Sequence, residues 1–268
     1  MADAAALYLR LVTARVRSQL QYRLSFALDF GGAILIGFLD FAAILIIFHN
    51  IRQLGGWTVS EVALLYGISG IAFALTDMAI GHLPVFLPDQ IRTGNLDVIL
   101  LRPRGTLLQV LTVDFQLRRL GKAVQAGAVL AYALAQLDIQ WTVGRALMLA
   151  VTIVSAAVIL AGVWVITMCI VFWAVEGSET SSAFTYGGQF LSQYPITVYE
   201  RWLRRLLAYG IPMAFVSYFP ALYIIGKKDP LGAPSWLRFA APFVAVLVCA
   251  IARVTWRFAL RHYRSAGG

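Results

Sequence analysis

The chain has 268 residues, 60% of them hydrophobic and 13% charged, with a formal net charge of +9 and a mean hydropathy of +0.77. Soluble domains carry about twice that charged fraction, so an all-round aqueous exterior is excluded. Nucleic acid is excluded as well, because no polar surface carries a basic stripe with interleaved aromatics. The composition is that of an integral membrane protein.

Residues 1–24 lack the compact apolar core of a cleavable signal peptide. Leu9, Val12, Val16, Leu20 and Leu24 recur at helical spacing, with Arg10, Arg17 and Gln21 on another face. The pattern predicts an interfacial helix over residues 5–24, lying along the membrane surface, with a plain run-in to the first span as the alternative. A first crossing is predicted at residues 25–48; Asn50 and the Gly55-Gly56 pair break the pattern after it. It contains Asp29 and Asp40, about three turns apart and so on one face. A second crossing at 61–81 contains Asp77, and Gly67 and Gly70 within it suit close helix packing. Intramembrane carboxylates are costly and face either a wet interior or neighbouring helices. Asp29, Asp40 and Asp77 are therefore candidates for a proton pathway or for helix-to-helix hydrogen bonds.

Pro84 and Pro88 follow, and then a charged island, DQIRTGNLDVILLRPRG, at residues 89–105. Gly94-Asn95 suits a turn, PDQIR one or two helical turns, and LDVILL is an apolar run stopped by Arg102-Pro103. Such a segment between two crossings offers apolar knobs and flanking charges to a soluble partner. A long helical segment is predicted over 106–137; its first half is too polar for lipid, which leaves 121–137 as the crossing. Residues 146–175 form thirty residues without a charge, ample for a ~30 Å hydrocarbon core. The next crossing is either 178–198, only moderately apolar, or 206–226, more apolar but interrupted by Pro212 and Pro220. A last crossing falls at 239–256.

Lys and Arg cluster in the N-terminal segment, around residues 82–122 and in the C-terminal tail, while the intervening loops hold few. By the positive-inside rule both termini and residues 82–105 are cytoplasmic. Two inside termini require an even number of crossings; the charge count favours 206–226 for the ambiguous one, because Arg201, Arg204 and Arg205 then stay inside. Cys169 and Cys249 fall within spans and read as packing residues, and His49, His82 and His262 are scattered. No catalytic cluster, metal-ligand spacing, cofactor motif or Walker A lysine is visible. From the residues alone, a proton-coupled secondary transporter using Asp29, Asp40 and Asp77 rivals a subunit driven by an outside engine.

Two stretches, IRTGNLDVILLRPRGTLLQVL at 91–111 and QFLSQYPITVYERWLRRLLAYGIPMAFVSYFPALYIIG at 189–226, resemble the permease subunits of type-2 ABC (ATP-binding cassette) exporters, in the branch with separate permease and ATPase polypeptides. The resemblance implies an all-α membrane protein with the interfacial helix, six transmembrane helices and a coupling helix over 87–101. Asp89, Arg92, Gly94, Asn95, Leu96 and Asp97 stand at the centre of that coupling helix. It also implies a re-entrant hairpin over 200–226 carrying Pro212 and Pro220, which makes 178–198 the fifth crossing, against the charge count. The implied partners are two copies of an ATPase that bind the ATP and Mg, and a second permease, identical or related, in a bacterial inner membrane. Trp164, Phe172, Trp173, Phe184 and Tyr186 would suit an amphipathic or lipid-like cargo, with a hydrophobic drug, a natural product, a peptide and a lipid all open, and equally serve as interface anchors.

Overall fold

The computed structural model describes residue 21 and residues 23–103, 105–174 and 177–263; the interfacial helix expected over 5–24 lies almost wholly outside them. Regular structure among the described residues is helical, apart from one isolated bridge between Leu54 and Trp57. Among the described residues four helices are long and apolar enough to cross a membrane: Arg23–Asn50, Val59–Arg92, Val143–Phe172 and Ala241–His262. A bent pair, Arg201–Gly210 and Met213–Ile224, would make a fifth if counted as one span.

Helix α1 (Arg23–Asn50) leads to a tight loop and then to α2 (Val59–Ile80). A capping box fixes the start of α2: the Thr58 N–H donates to Glu61 Oε2 at 2.8 Å, and the Glu61 N–H donates to Thr58 Oγ1 at 3.4 Å. These bonds satisfy donors that a helix start would otherwise leave open. Short helices α3 (Leu83–Arg92), α4 (Leu96–Leu100) and α5 (Thr106–Leu111) follow, then α6 (Leu120–Gln136), α7 (Val143–Met168) and α8 (Gly177–Ser192). Beyond them lie α9 (Arg201–Arg205), α10 (Tyr218–Ile224) and the long α11 (Ala241–His262).

The helical stretch predicted over 106–137 is not continuous. After α5 the chain opens, the Gln116 N–H donates to the Met78 carbonyl of α2 at 2.9 Å, and a 3-10 turn at Leu117–Arg119 leads into α6. A tertiary hydrogen bond here replaces the helical one.

Helix α2 is the hub of the bundle. It runs antiparallel to α6, so close that a Cβ on Gly67 would lie 2.7 Å from Leu130 Cβ and one on Gly70 2.8 Å from Ala126 Cβ. Small residues are what allow such a seam in a membrane bundle. Thr76 Oγ1 donates to its own helix at Ala72 and across to the Ala157 carbonyl of α7 at 2.9 Å. Helix α8 folds back antiparallel on α7, with Thr167 and Ser181 hydroxyls 2.8 Å apart. By contrast α1 leans on the bundle through Gly37, whose carbonyl accepts from Gln125 Nε2 and Tyr66 OH, each at 3.0 Å. Most of its apolar surface, including Leu28, Leu35, Ile36, Leu39 and Ile46, stays exposed.

The segment 201–224 is sharply broken: its two limbs meet at 73°. Pro212 holds Ile211 in an extended conformation, and the turn before it is a π-helix, Leu206–Gly210, closed by the Ile211 N–H donating to the Leu206 carbonyl at 2.7 Å. Every residue from Met213 to Leu222 is buried, Pro220 included, and Ser217 Oγ donates to the Ser192 carbonyl. Irregular backbone is tolerated at membrane depth when it is packed in protein this way. Lys227 pins the far end of this segment to the start of α2. Its Nζ reaches both Glu61 oxygens (2.8 and 2.6 Å) and the Gly56 carbonyl (2.7 Å), and it sits 4.7 Å from the Trp57 ring centroid.

Candidate functional site

At the end of α2 opposite the Lys227 clamp, the chain turns through Gly81 and His82 and re-forms as α3. Pro84 sits in its first turn, where a missing N–H costs nothing, and Leu83, Leu87 and Ile91 recur at four-residue spacing as its buried face. His82 Nε2 lies 2.9 Å from the Val110 carbonyl of α5, so the head of α3 is tied to α5. The Asp89 carbonyl then accepts from both the N–H and the hydroxyl of Thr93 (2.9 and 2.7 Å), which closes α3. Gly94 takes φ +71°, a left-handed turn that disfavours side chains. Asn95 Nδ2 donates to Thr93 Oγ1 at 3.0 Å, and α4 begins. Gln109 Nε2 of α5 donates to the Ile99 carbonyl at the base of α4 at 3.3 Å.

Of the six residues placed at the centre of this segment by sequence, Asp89, Arg92 and Asn95 are exposed, and Asp89 and Arg92 form a solvent-facing ion pair at 3.4 Å. Gly94 is the hinge of the turn, and Asp97 is partly buried. Leu96 is fully buried, so it anchors α4 from beneath and offers nothing to a docking partner. The outward apolar side chains are others: Val85 (79% exposed), Val98 (54%), Leu101 (86%) and, less so, Leu100 (40%). For Val85 the signal was present in the sequence, since it falls off the Leu83, Leu87 and Ile91 face; Val98, Leu100 and Leu101 lie beyond the Gly94 turn, where that periodicity no longer runs. A cleft of about 940 Å³ flanks α3, lined by charged residues such as Asp89, Arg92, Arg119 and Glu179 and by apolar ones such as Val85 and Phe86.

One turn above the segment lies the most buried charge among the described residues. The Asp77 side chain is 0% exposed, with Arg119 Nη1 at 3.4 Å and Lys122 Nζ at 3.3 Å, both from its Oδ2. Oδ1 has no hydrogen-bond partner among the described residues and faces Gly81, where any Cβ would collide with it. Lys122 also sits 5.6 Å from the Phe73 ring centroid, and Phe73, Trp164 and Tyr186 form one aromatic cluster with centroids 5.4 to 6.1 Å apart. A carboxylate held between two cations is charge-balanced and knits α2 to the start of α6. Sequence reading counted Arg119 and Lys122 only as orientation charges and so missed the pairing. Asp29 and Asp40 are both exposed on α1, and the structure does not bring them to Asp77. Asp40 is within electrostatic reach of Tyr66 and Tyr194.

The family model described as "ABC-2 family transporter protein" matches residues 34–267. The chain belongs to the ABC-2 transporter family. No curated protein and no solved structure matches it. As an ABC-2 transporter protein it is the integral membrane component of a transport system, a family that works with an ABC ATPase. Trp164 is fully buried and Phe172 partly buried, whereas Trp173, Phe184 and Tyr186 are exposed.

Proposed function

We propose that this chain is the permease subunit of an ATP-driven exporter, forming half of a translocation pathway and coupling to a separate ATPase polypeptide. The observation that carries the reading is the segment α3–α4. It hangs directly from the central helix α2, is braced from beneath by α5, and presents Val85, Val98 and Leu101 beside the Asp89–Arg92 pair. Apolar knobs rimmed by charges are what a soluble partner can grip.

In this reading α1, α2, α6, α7, α8 and α11 are the six crossings. Both termini and α3–α4 are cytoplasmic, in a bacterial inner membrane, and residues 200–226 are the re-entrant hairpin. The antiparallel pairs α2–α6 and α7–α8 support the alternation. A second permease, identical or related, completes the pathway; Asp40, exposed well inside an apolar helix, supports it, because a carboxylate facing lipid there is costly. Two ATPase subunits hold ATP and Mg, and this chain hydrolyses nothing. The cargo is an amphipathic molecule such as a drug, natural product or lipid.

Affinity purification in mild detergent, with mass spectrometry of the intact complex and an ATPase assay on the eluate, tests the proposal. Stoichiometric recovery of an ATP-binding subunit is the expected result. A lone chain across several detergents, with transport abolished by Asp40→Asn, would replace it with the proton-coupled transporter.

A further inference from the structure

A second concavity lies between α5, α7 and α11, with a volume of about 710 Å³ and a lining that includes Ile80, Leu108, Leu111, Ala161, Val165 and Trp256. Its origin is geometric. Helices α7 and α11 are pressed together at Gly162, where a Cβ would come within 2.5 Å of Val248 Cγ1. From that point toward the α11 C-terminus they leave a groove that α5 closes only in part.

The groove is apolar except at Thr106 and at Arg253 and Arg257, the only charged residues that line it among those described. Arg253 stands twelve residues into α11, about 18 Å along its axis, while a ~30 Å hydrocarbon core takes roughly 20 residues of helix. Both guanidinium groups are exposed, and neither has a hydrogen-bond or ion-pair partner among the described residues. Exposed arginine at such depth calls for an anion or for water drawn into the membrane. The volume and the pattern, an apolar wall with a few convergent polar groups, are those of a ligand site.

We propose that this groove binds one anionic glycerophospholipid, with acyl chain against α5 and α7 and phosphate between Arg253 and Arg257. The arginines select charge and the wall accepts the chain. The bound lipid presses on α5, which holds α4 through Gln109 and the head of α3 through the Val110 carbonyl. Lipid occupancy thereby stiffens the mount of the segment proposed to grip the ATPase. The leaflet, cytoplasmic, and this consequence rest on the proposed function; binding itself does not.

The test titrates the full-length chain, purified in mild detergent, with phosphatidylglycerol or phosphatidylcholine and counts retained lipid by native mass spectrometry. The wild type should hold one phosphatidylglycerol in preference to phosphatidylcholine. Arg253→Gln with Arg257→Gln should weaken phosphatidylglycerol binding by about thirtyfold. Ala161→Phe, which fills the groove and keeps both arginines, should weaken it too; Arg261→Gln, one turn further along α11 and outside the groove, should leave it unchanged. Equal retention of the two lipids by the wild type, or unchanged phosphatidylglycerol affinity in Ala161→Phe, overturns the proposal. If the double variant does not insert, Ala161→Phe decides alone. Because no ATPase is present, absence of that partner leaves this result standing.

Discussion

Removing both cations around Asp77 should harm the fold more than removing Asp77 itself, and the reason lies in who is buried. Asp77 is 0% exposed, whereas the Arg119 and Lys122 side chains are 29% and 34% exposed. In Arg119→Met/Lys122→Met the carboxylate stays behind with neither ion-pair partner and with Oδ1 still unsatisfied; an uncompensated buried charge costs about 3–5 kcal/mol. Asp77→Asn leaves two cations that already reach water, so only charge-assisted hydrogen bonds are lost, about 1–2 kcal/mol. Lys122→Met alone, with Arg119 still in place and the Phe73 contact gone, should cost about 1 kcal/mol. Thermal unfolding in detergent, followed by size-exclusion profile, reads the order at roughly 2 °C or more per kcal/mol. A double-cation variant as stable as the wild type, or one less perturbed than Asp77→Asn, would refute the reasoning.

Three further outcomes follow from the geometry. Val98→Asp and Leu101→Asp should leave the unfolding midpoint unchanged and abolish co-purification of an ATPase, whereas Leu96→Asp, at a fully buried position, should prevent folding; equal behaviour of the three would count against the surface drawn here. Gly81→Ala should destabilise by about 1–3 kcal/mol through overpacking against Asp77, seen as a lowered midpoint and absent if the α2–α3 turn relaxes freely. Lys227→Ala removes the clamp on Glu61 and Gly56 and should speed proteolysis between residues 201 and 232 by about tenfold, the effect of roughly 1.4 kcal/mol; an unchanged cleavage rate would show the clamp to be dispensable.

Long uninterrupted hydrophobicity made α1, α2, α7 and α11 legible, though not their ends: 25–48 was expected where α1 spans Arg23–Asn50, 146–175 where α7 spans Val143–Met168, and 239–256 where α11 spans Ala241–His262. The Gly94-Asn95 turn was legible for a local reason, the left-handed backbone that glycine permits. What could not be read were facts that depend on a distant partner. Helical periodicity runs on past Leu111, but the Met78 carbonyl captures the Gln116 N–H and the helix stops. Lys122 is an ordinary boundary charge until α6 lies against α2. Leu96 and Val98 are both apolar, two positions apart, and only packing decides that one points inward and the other out.

The seam at Gly67 and Gly70 bears on how the bundle can deform. Two backbones pressed together without intervening side chains cannot slip past one another, so α2 and α6 translate as one spar. The Thr76 bond to α7 and the Asp77 pairing lash that spar near its lower end. A displacement of α3 is therefore shared by three helices, and compliance is left to the parts with the most open surface: α1, which packs on the bundle along one stripe through Phe30, Gly37, Phe41 and Ile44, and the limb Arg201–Gly210, most of whose residues face outward.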